Sequence, residues 1–279
     1  MVNNKLKIGA IIQARFDSTR LPGKVFFKLP FQSNDTVLDR IINRIKLVKG
    51  LIPIIATSTE ASDNSIFEFA KSKNISVFRG EKENVLNRFF LAAKEYDLDI
   101  ILRITGDNPI VLTEVIQIAI KNHLKSGAEY SRNNGLPYGT SFEIINFTTL
   151  KKVNEEATSN EEKEHVTLYI KNNKKLFKIL ENDFSYLSLK SEKVRLTVDY
   201  PTDYALLNLI FQDQKMQSDQ YTFETLKLLF DSNEWLPQIN NHNFQKQQFN
   251  SIEEEMIFAK ETLKQLDLWN ALKILDNQT

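Results

Sequence analysis

The chain has 279 residues, 42% hydrophobic and 26% charged, which is the composition of an ordinary globular protein with a substantial core. Its 36 basic and 36 acidic residues cancel, so no overall charge favours binding to nucleic acid or to anionic lipid. The absence of cysteine excludes disulfides, thiolate metal sites and a cysteine nucleophile. No apolar run reaches the roughly 20 residues of a membrane helix, and the N-terminus lacks a signal-peptide pattern, so we expect a cytoplasmic protein.

Short apolar strands alternate with longer amphipathic helices over the first 128 residues. Strands are predicted at 6–13, 52–57, 76–78 and 100–105, and helices at 37–48, over 66–70, at 85–96 and at 113–125. Such alternation is typical of a mostly parallel sheet that helices cover on both faces. We therefore predict a three-layer α/β fold.

The rest of the chain has a mixed pattern. Strands are predicted at 142–145, 177–180, 187–189 and 195–198, and helices at 147–157 and 164–172. Residues 238–250 have the composition of a polar linker, and residues 252–275 give a strong amphipathic helical pattern. These changes predict a main domain over residues 1–214 and a helical C-terminal extension over residues 215–279.

Polar side chains follow three of the predicted strands. They lie in the basic segment 13–24, which includes Arg15 and Lys24, and in the segments 105–109 and 199–203. Ligands of an open parallel sheet bind beyond the carboxyl ends of its strands, so we expect these segments to meet. Cationic side chains neutralise phosphate oxygens, and carboxylates hold Mg²⁺. Each segment alone is also typical of a solvated turn or a helix start, so the prediction of a triphosphate site depends on all three converging.

Two familiar nucleotide-binding signatures are missing from the sequence. Gly23-Lys24 is followed by Val25 and lacks the upstream glycine of a P-loop, and no GxGxxG motif is present. Of the three histidines, His123 and His242 are expected at the surface. His165 begins a predicted helix, where contact with a ligand and a capping or packing role are equal alternatives.

Several short motifs, in order, resemble those of cytidylyltransferases that activate acidic sugars, such as the CMP-KDO and CMP-sialate synthetases. The spore-coat-polysaccharide type is the most similar branch, and the resemblance covers about residues 6–212. The motifs are Gln13–Lys24, Arg79-Gly80 with Val85–Arg88, Arg103–Pro109, Glu164–Thr167 and Arg195–Asp203.

This resemblance implies a nucleotide-diphospho-sugar transferase fold of the glycosyltransferase-A type. It also implies transfer of CMP from CTP to an acidic sugar, with release of pyrophosphate, in the biosynthesis of a surface polysaccharide. The catalytic residues that it implies are Arg15, Lys24, Asp107 and Asp199, with the two aspartates as Mg²⁺ ligands. The nucleotide-binding residues that it implies are Ala14, Arg15, Ser18, Arg20, Lys24, Ala56, Thr57, Arg79, Arg88, Gly106 and Asp107.

For the sugar side, the resemblance implies contacts from Glu143, His165 and Arg195. Similar enzymes commonly carry an acidic residue directly after the glycine of the loop before Glu143. This chain has Thr140 and Ser141 there, so the sequence leaves the identity of the sugar open. Such enzymes are often homodimers built from the region after residue 130, which makes a homodimer a further expectation.

Two alternative functions compete with this interpretation. The first is a glycosyltransferase of the same fold class, which would consume a nucleotide sugar; such enzymes usually carry an Asp-x-Asp motif, whereas this chain has Gly106-Asp107-Asn108. The second is a non-catalytic nucleotide-binding subunit, which would have no reason to keep all four implied catalytic residues.

Overall fold

A seven-stranded sheet forms the centre of the computed structural model, which describes residues 6–190, 194–243 and 251–276. In chain order the strands are β1 (Ile8–Gln13), β2 (Leu51–Ser58), β3 (Ser76–Gly80), β4 (Ile100–Thr105), β5 (Tyr130–Asn134), β6 (Glu143–Asn146) and β7 (Ile179–Asp183). Their order across the sheet is β3-β2-β1-β4-β6-β5-β7. Only β6 runs antiparallel to its neighbours, so the carboxyl ends of the other six strands lie at one edge.

Helices cover both faces of this sheet. They are α1 (Val37–Lys46), α2 (Asn64–Ser72), α3 (Val85–Glu95), α4 (Thr113–Ser126), α5 (Phe147–Glu156), α6 (Asn160–Glu164), α7 (Leu168–Asn172), α8 (Pro201–Gln212), α9 (Gln214–Gln217) and α10 (Phe223–Ser232). One core cluster joins the sheet to α1, α2, α4, α8, α9 and α10, and a second joins its other face to α3, α5 and α7. The predicted three-layer, mostly parallel α/β architecture is confirmed.

The segment after α8 packs into the core of the same unit. Met216, Tyr221 and Phe230 are buried in the first core cluster. Arg44 of α1, which is itself buried, donates hydrogen bonds to the backbone oxygens of Val111 and Tyr221 at 3.0 and 2.8 Å. The chain divides into compact units at residues 1–242 and 243–279, whereas the sequence analysis places a domain boundary after residue 214.

The smaller unit contains α11 (Ile252–Gln265) and α12 (Trp269–Asp276). Ser251 caps the start of α11, and Lys260 pairs with Asp276 at 2.9 Å. The amphipathic pattern over 252–275 is interrupted where Asp267 adopts a φ of 56°. Of the predicted linker, residues 244–250 lie outside the described residues. In the described parts of the chain, no helix is long and apolar enough to cross a membrane.

Three local predictions are wrong. Residues 187–189 and 195–198 are not strands. The N–H of Leu187 donates to the backbone oxygen of Phe184 in a turn, and the N–H groups of Leu196 and Val198 donate to the backbone oxygens of Tyr138 and Asp107 in two loops. The apolar residues of 195–198 reflect burial alone. The predicted helix over 164–172 is divided between α6 and α7. The sequence analysis also missed β5, whose polar residues (Tyr-Ser-Arg-Asn-Asn) hide the alternation of a strand.

His123 is buried, not exposed as the sequence suggested. Its Nδ1 lies 2.7 Å from the hydroxyl of Ser131, and its Nε2 lies 2.8 Å from Oδ1 of Asn146. The side-chain NH₂ of Asn146 donates to the backbone oxygen of Ala128, so Oδ1 is an acceptor and Nε2 carries the proton. The neutral ring thus joins α4 to β5 and to the end of β6.

We expect His123 to make the fold sensitive to acid. Burial lowers the pKa of His123 below its ordinary value of 6.5, so on acidification the unfolded chain takes up a proton before the folded chain does. Stability should therefore fall as the pH drops below about 6.5. Urea unfolding at a series of pH values should show a smaller acid loss in His123→Gln than in the wild type. Parallel pH profiles for the two proteins would contradict this role.

Candidate active site

The basic loop after β1 is folded around the backbone oxygen of Phe16. This oxygen accepts hydrogen bonds from the N–H groups of Ser18 and Gly23 at 2.9 and 2.8 Å. Gly23 has a φ of 71°, which favours glycine, and a short 3₁₀ helix begins at Lys24. Asp63 holds the loop from outside, since its Oδ1 accepts from the N–H of Phe16 at 2.7 Å. The loop is therefore preformed, and Lys24 points back over the sheet edge.

Lys24 bridges the two aspartates that were predicted to share a site. Its Nζ lies 2.7 Å from Oδ2 of Asp107 and 2.9 Å from Oδ1 of Asp199. Burial alone would lower the pKa of Lys24, but the two carboxylates outweigh it and raise the pKa above the ordinary value. Burial would likewise raise the pKa of Asp199, yet Lys24 and Arg195 bring it below the ordinary value. Lys24 and Asp199 are therefore both charged at neutral pH.

Backbone contacts explain why residues so distant in sequence meet here. Gly106 directly follows β4 beside β1, and a Cβ at this position would lie 2.8 Å from the backbone oxygen of Gln13, so only glycine fits. The N–H of Val198 donates to the backbone oxygen of Asp107 at 2.9 Å, which places Asp199 next to Asp107. Asp203, in the first turn of α8, accepts from the N–H of Asp199 and holds that helix start.

A cavity of about 290 Å³ opens in front of these groups. It is lined by Gln13, Ala14, Arg15, Asp17, Ser18, Thr19, Arg20, Lys24, Val25, Thr105, Gly106, Asp107 and Asp199. All four residues implied as catalytic thus line one cavity, as do Ala14, Ser18, Arg20 and Gly106. No acidic side chain among the described residues pairs with Arg15, which leaves its guanidinium available for an anion.

The four other residues expected to bind the nucleotide lie beside this cavity, at the ends of β2 and β3 and on α3. Ala56 and Thr57 are buried, and Arg79 donates to the backbone oxygens of Ser58 and Glu60 at 2.8 and 2.9 Å. Arg88 is buried, with Nε and Nη2 unpartnered among the described residues. Burial and the nearby Arg15 lower its pKa to about 10. A buried guanidinium with unpartnered donors, beside a second cation, favours an anionic or polar ligand at this edge.

The residues expected on the sugar side do not line the cavity. Glu143 is buried within β6, where it pairs with Arg103 at 2.6 Å and Lys171 at 2.9 Å and accepts from Tyr130 and Thr167. His165 directly follows α6, and Thr167 of the same motif donates a hydrogen bond from its hydroxyl to Glu143. Glu143 thus holds β4, β6 and α7 together.

Arg195 lies beneath the aspartates instead of facing the cavity. Its Nη2 lies 2.9 Å from Oδ2 of Asp199, and its Nε lies 3.3 Å from Oδ1 of Asp203. Asn240 donates to the backbone oxygen of Arg195 at 2.7 Å, which fixes this segment from the far side. In this structure Arg195 therefore positions Asp199.

We expect Glu143→Gln to cost about 3 kcal/mol of unfolding free energy, because it removes the charge of a buried carboxylate and leaves the partly buried Arg103 without a compensating charge. Burial alone would raise the pKa of Glu143, but Arg103 and Lys171 lower it to about 2, so its contribution is present above pH 4.5 and is lost as the pH falls towards 2. Urea unfolding measures the loss. Glu181→Gln is the matched control, since its pair with Arg132 is largely exposed and should be worth below about 1 kcal/mol. Equal losses in the two variants would contradict the role of Glu143.

Sequence reasoning missed several residues that the fold brings to the site. Gln13, Asp17, Thr19 and Thr105 belong to the quoted motifs but were given no role of their own, and Val25 directly follows the first motif; all five line the cavity. Asp63, which anchors the basic loop, lies in a 3₁₀ turn and carries no local signal beyond its capping chemistry. Tyr138 lies under the guanidinium of Arg195, with 4.8 Å between Cζ and the ring centroid. Only the tertiary contact reveals its place.

The donor set fits a hard divalent cation. Asp107 and Asp199 present oxygen ligands on either side of a position that is taken here by the ammonium of Lys24. Among the described residues no group of three or more acidic or histidine side chains could hold a metal. Two carboxylates alone suit Mg²⁺ that is also bound by substrate phosphates and water, in preference to an all-protein site.

Comparison with known sequences decides the family. The sequence profile of a family described as cytidylyltransferase matches residues 9–229, which include all of the sheet except Ile8, the basic loop and both aspartates. The chain belongs to the cytidylyltransferase family. Cytidylyltransferases are nucleotidyltransferases, and this assignment agrees with the resemblance that the motifs showed.

Individual relatives agree with this assignment. This chain is 33% identical over 227 residues to the spore coat polysaccharide biosynthesis protein SpsF of Bacillus subtilis. The alignment covers 78% of this chain and 92% of SpsF. The chain is 39% identical over 206 residues to the uncharacterized protein MJ1063 of Methanocaldococcus jannaschii, covering 72% of this chain and 82% of the relative. A solved cytidylyltransferase of Leptospira borgpetersenii superimposes with a TM-score of 0.75 at 28% identity, covering 88% of this chain and all of that one. The expected nucleotidyltransferase fold is confirmed.

Proposed function

We propose that the protein transfers CMP from CTP to a hydroxyl group of a sugar and releases pyrophosphate. The observation that carries this proposal is the contact of Lys24 with both Asp107 and Asp199 beneath a preformed basic loop. Membership of the cytidylyltransferase family supports CTP as the nucleotide. The cavity combines cations for phosphate with carboxylates for a metal, which is what a triphosphate bound with Mg²⁺ requires.

Each residue has a defined part in this proposal. Arg15 and Lys24 would bind the phosphates and offset the negative charge that develops on the departing pyrophosphate. Asp107 and Asp199 would hold Mg²⁺, which when bound would polarise the α-phosphate. Arg20 lies 3.7 Å from Asp199 and over the ring of Tyr200, so it would shape the outer wall of the cavity. Arg79 and Arg88 would lie on the side of the base and ribose.

The proposed reaction is a displacement at phosphorus. The oxygen of the sugar hydroxyl forms a bond to the α-phosphorus, the bond from that phosphorus to the bridging oxygen breaks, and pyrophosphate leaves with the bonding electrons. The hydroxyl proton passes to solvent. Such transfers depend mainly on positioning and on charge neutralisation, so the rigid loop and the anchored aspartates are the features that matter.

The biological setting follows from the relatives by analogy. SpsF is named as a spore coat polysaccharide biosynthesis protein, so we place this protein in the biosynthesis of a surface polysaccharide or glycan, within the cytoplasm where CTP is made. We also propose that it acts as a homodimer. Sedimentation of the full chain tests that state directly.

A pyrophosphate-release assay tests the activity. The full chain is incubated with Mg²⁺, each of the four nucleoside triphosphates in turn, and a panel of sugars. We expect release that depends on both CTP and a sugar, with the other triphosphates at least about tenfold poorer in kcat/KM. Equal use of all four triphosphates would contradict CTP specificity, and failure of CTP to bind in calorimetry would contradict the proposed function as a whole.

A further inference from the structure

Two guanidinium groups contact the same carboxylate oxygen in the candidate active site. Nη2 of Arg195 lies 2.9 Å from Oδ2 of Asp199, and Nη1 of Arg20 lies 3.7 Å from that oxygen. Lys24 contacts the other oxygen, Oδ1, at 2.9 Å. Two guanidinium groups carry like charges and repel each other. Their place at one carboxylate is therefore more stable where a further group attracts both of them.

Two tyrosine rings provide this attraction. Cζ of Arg195 lies 4.8 Å from the ring centroid of Tyr138 and 5.6 Å from that of Tyr200. Cζ of Arg20 lies 4.9 Å from the ring centroid of Tyr200. The face of an aromatic ring attracts a cation within about 6 Å of its centroid, so all three contacts are favourable. Tyr138, Arg195, Tyr200 and Arg20, in this order, form an aromatic–arginine stack in which Tyr200 contacts both guanidinium groups.

The main chain of Tyr200 is anchored independently of its ring. Tyr200 directly precedes α8, and its N–H donates to Oδ2 of Asp203 at 3.0 Å. Asp203 is buried, and its Oδ1 also accepts from Nε of Arg195 at 3.3 Å. Pro201, the first residue of α8, has the fixed φ of a helix start. The ring of Tyr200 is therefore carried by a segment whose backbone does not depend on Arg20.

Arg20 depends on this ring more than Arg195 does. Arg195 is buried and pairs with Asp203 as well as with Asp199, so two carboxylates hold it. The side chain of Arg20 is 37% exposed, and its distance of 3.7 Å from Asp199 is too long for a hydrogen bond. A partly exposed ion pair of this kind barely offsets the entropy that is lost when an arginine side chain is held in one conformation. The contact with Tyr200 therefore decides where the guanidinium of Arg20 lies.

The position of Arg20 matters because its side chain lines the cavity. Arg15, Arg20 and Lys24 all line it, whereas Tyr200 is not among the described residues that do. A guanidinium binds phosphate oxygens well only when it is held within hydrogen-bond reach of them. Release of this guanidinium into solvent would weaken nucleotide binding without any change in the sequence of the basic loop.

We propose that Tyr200 is a positioning residue of this active site. Its ring holds the guanidinium of Arg20 at the wall of the cavity, and Tyr200 affects nucleotide binding through this arginine. The inference rests on the proposed function and adds a residue to which the sequence motifs gave no role. The ring preorganises a cation that binds phosphate, which lowers the entropy lost when CTP binds.

Calorimetric titration of the full chain with CTP and Mg²⁺ tests this role. Tyr200→Leu removes the ring, Tyr200→Phe removes only the hydroxyl, and Arg20→Gln removes the cation. The double variant Arg20→Gln/Tyr200→Leu shows whether the two residues act together. Tyr204→Leu is the matched control, because Tyr204 lies one turn further along α8 and its ring packs against Phe27 and Phe31. Urea unfolding of each variant separates loss of binding from loss of folding.

We expect Tyr200→Leu to weaken CTP binding about fivefold to tenfold, and Tyr200→Phe to stay within about twofold of the wild type. Tyr204→Leu should lose stability on urea unfolding but keep the CTP affinity of the wild type. The double variant should bind CTP within about twofold of Arg20→Gln alone, because the ring has no effect on the nucleotide once the guanidinium is gone.

Four results would overturn the positioning role while the nucleotide site stands. They are wild-type CTP affinity in Tyr200→Leu, an equal loss in Tyr200→Phe, additive losses in the double variant, and an equal loss in Tyr204→Leu, which helix packing would explain. If Tyr200→Leu does not fold, Tyr200→Met takes its place with the same expected result. Absence of CTP binding in the wild type would contradict the proposed function itself, and the positioning role with it.

Discussion

Replacing Asp107 with alanine is expected to lower the kcat/KM for CTP-dependent pyrophosphate release at least about 1,000-fold, equivalent to about 4 kcal/mol of transition-state stabilisation. Asp107 provides one of two carboxylates that converge on a single cation position, and its own contact there is 2.7 Å. A metal held by the remaining carboxylate alone would lose a ligand and its placement against the phosphates. Steady-state kinetics at saturating Mg²⁺ measures the effect.

Stability measurements separate this effect from unfolding. The side chain of Asp107 is 26% exposed, and Lys24 keeps its contact with Asp199 when Asp107 is removed. We therefore expect the unfolding free energy of Asp107→Ala to lie within about 1 kcal/mol of the wild type. Asp107→Asn preserves the shape and loses the charge, so it should be nearly as inactive. Wild-type kinetics in either variant would remove Asp107 from the active site.

Replacing Lys24 with methionine is expected to have two opposite effects. The affinity for CTP should fall at least tenfold and kcat/KM about 100- to 1,000-fold, because a cation that faces the phosphates is lost. The affinity of the nucleotide-free protein for Mn²⁺, used as a probe for Mg²⁺, should rise, because Nζ no longer occupies the position between Asp107 and Asp199. Electron paramagnetic resonance of free Mn²⁺ measures this second effect without turnover.

The matched control is Lys28→Met, which removes an exposed lysine four residues further along the same segment. It should leave CTP affinity, Mn²⁺ affinity and kcat/KM unchanged. If Lys24→Met weakened CTP binding but left Mn²⁺ affinity at the wild-type value, the ammonium would not compete with a metal for the carboxylates. The nucleotide contact would then be its only role at the site.

Local sequence patterns predicted much of the sheet because its strands are buried on both faces. β1, β2 and β4 are short apolar runs bounded by polar turns, and their positions agree with the predictions within one or two residues. α1 was equally clear, since Thr36 and Asp39 form a capping box ahead of a regular apolar stripe. These features depend on interactions within a few residues of each other, which a sequence shows directly.

The errors lie where long-range contacts replace local preference. The segment 195–198 has the composition of a strand, but its N–H groups bond to two loops that approach from distant parts of the chain. β5 is polar, yet it is a strand because β6 and β7 supply its backbone partners. The composition of residues 215–242 differs from that of the preceding segment. These residues nevertheless belong to the larger unit, because Arg44 and its neighbours bind them.

The sequence by itself determined the family, the fold class and the chemical character of the site, because motifs and strand–helix alternation depend on residues that are close together in the sequence. Only the tertiary structure decided how the charged groups are paired. It placed Lys24 between Asp107 and Asp199, and it buried Glu143 in an internal ion cluster. It also placed Tyr138 against Arg195. The physical reason is that charge pairing depends on distances of a few ångströms between side chains that are far apart in the chain, such as Lys24 and Asp199, which are separated by 175 residues.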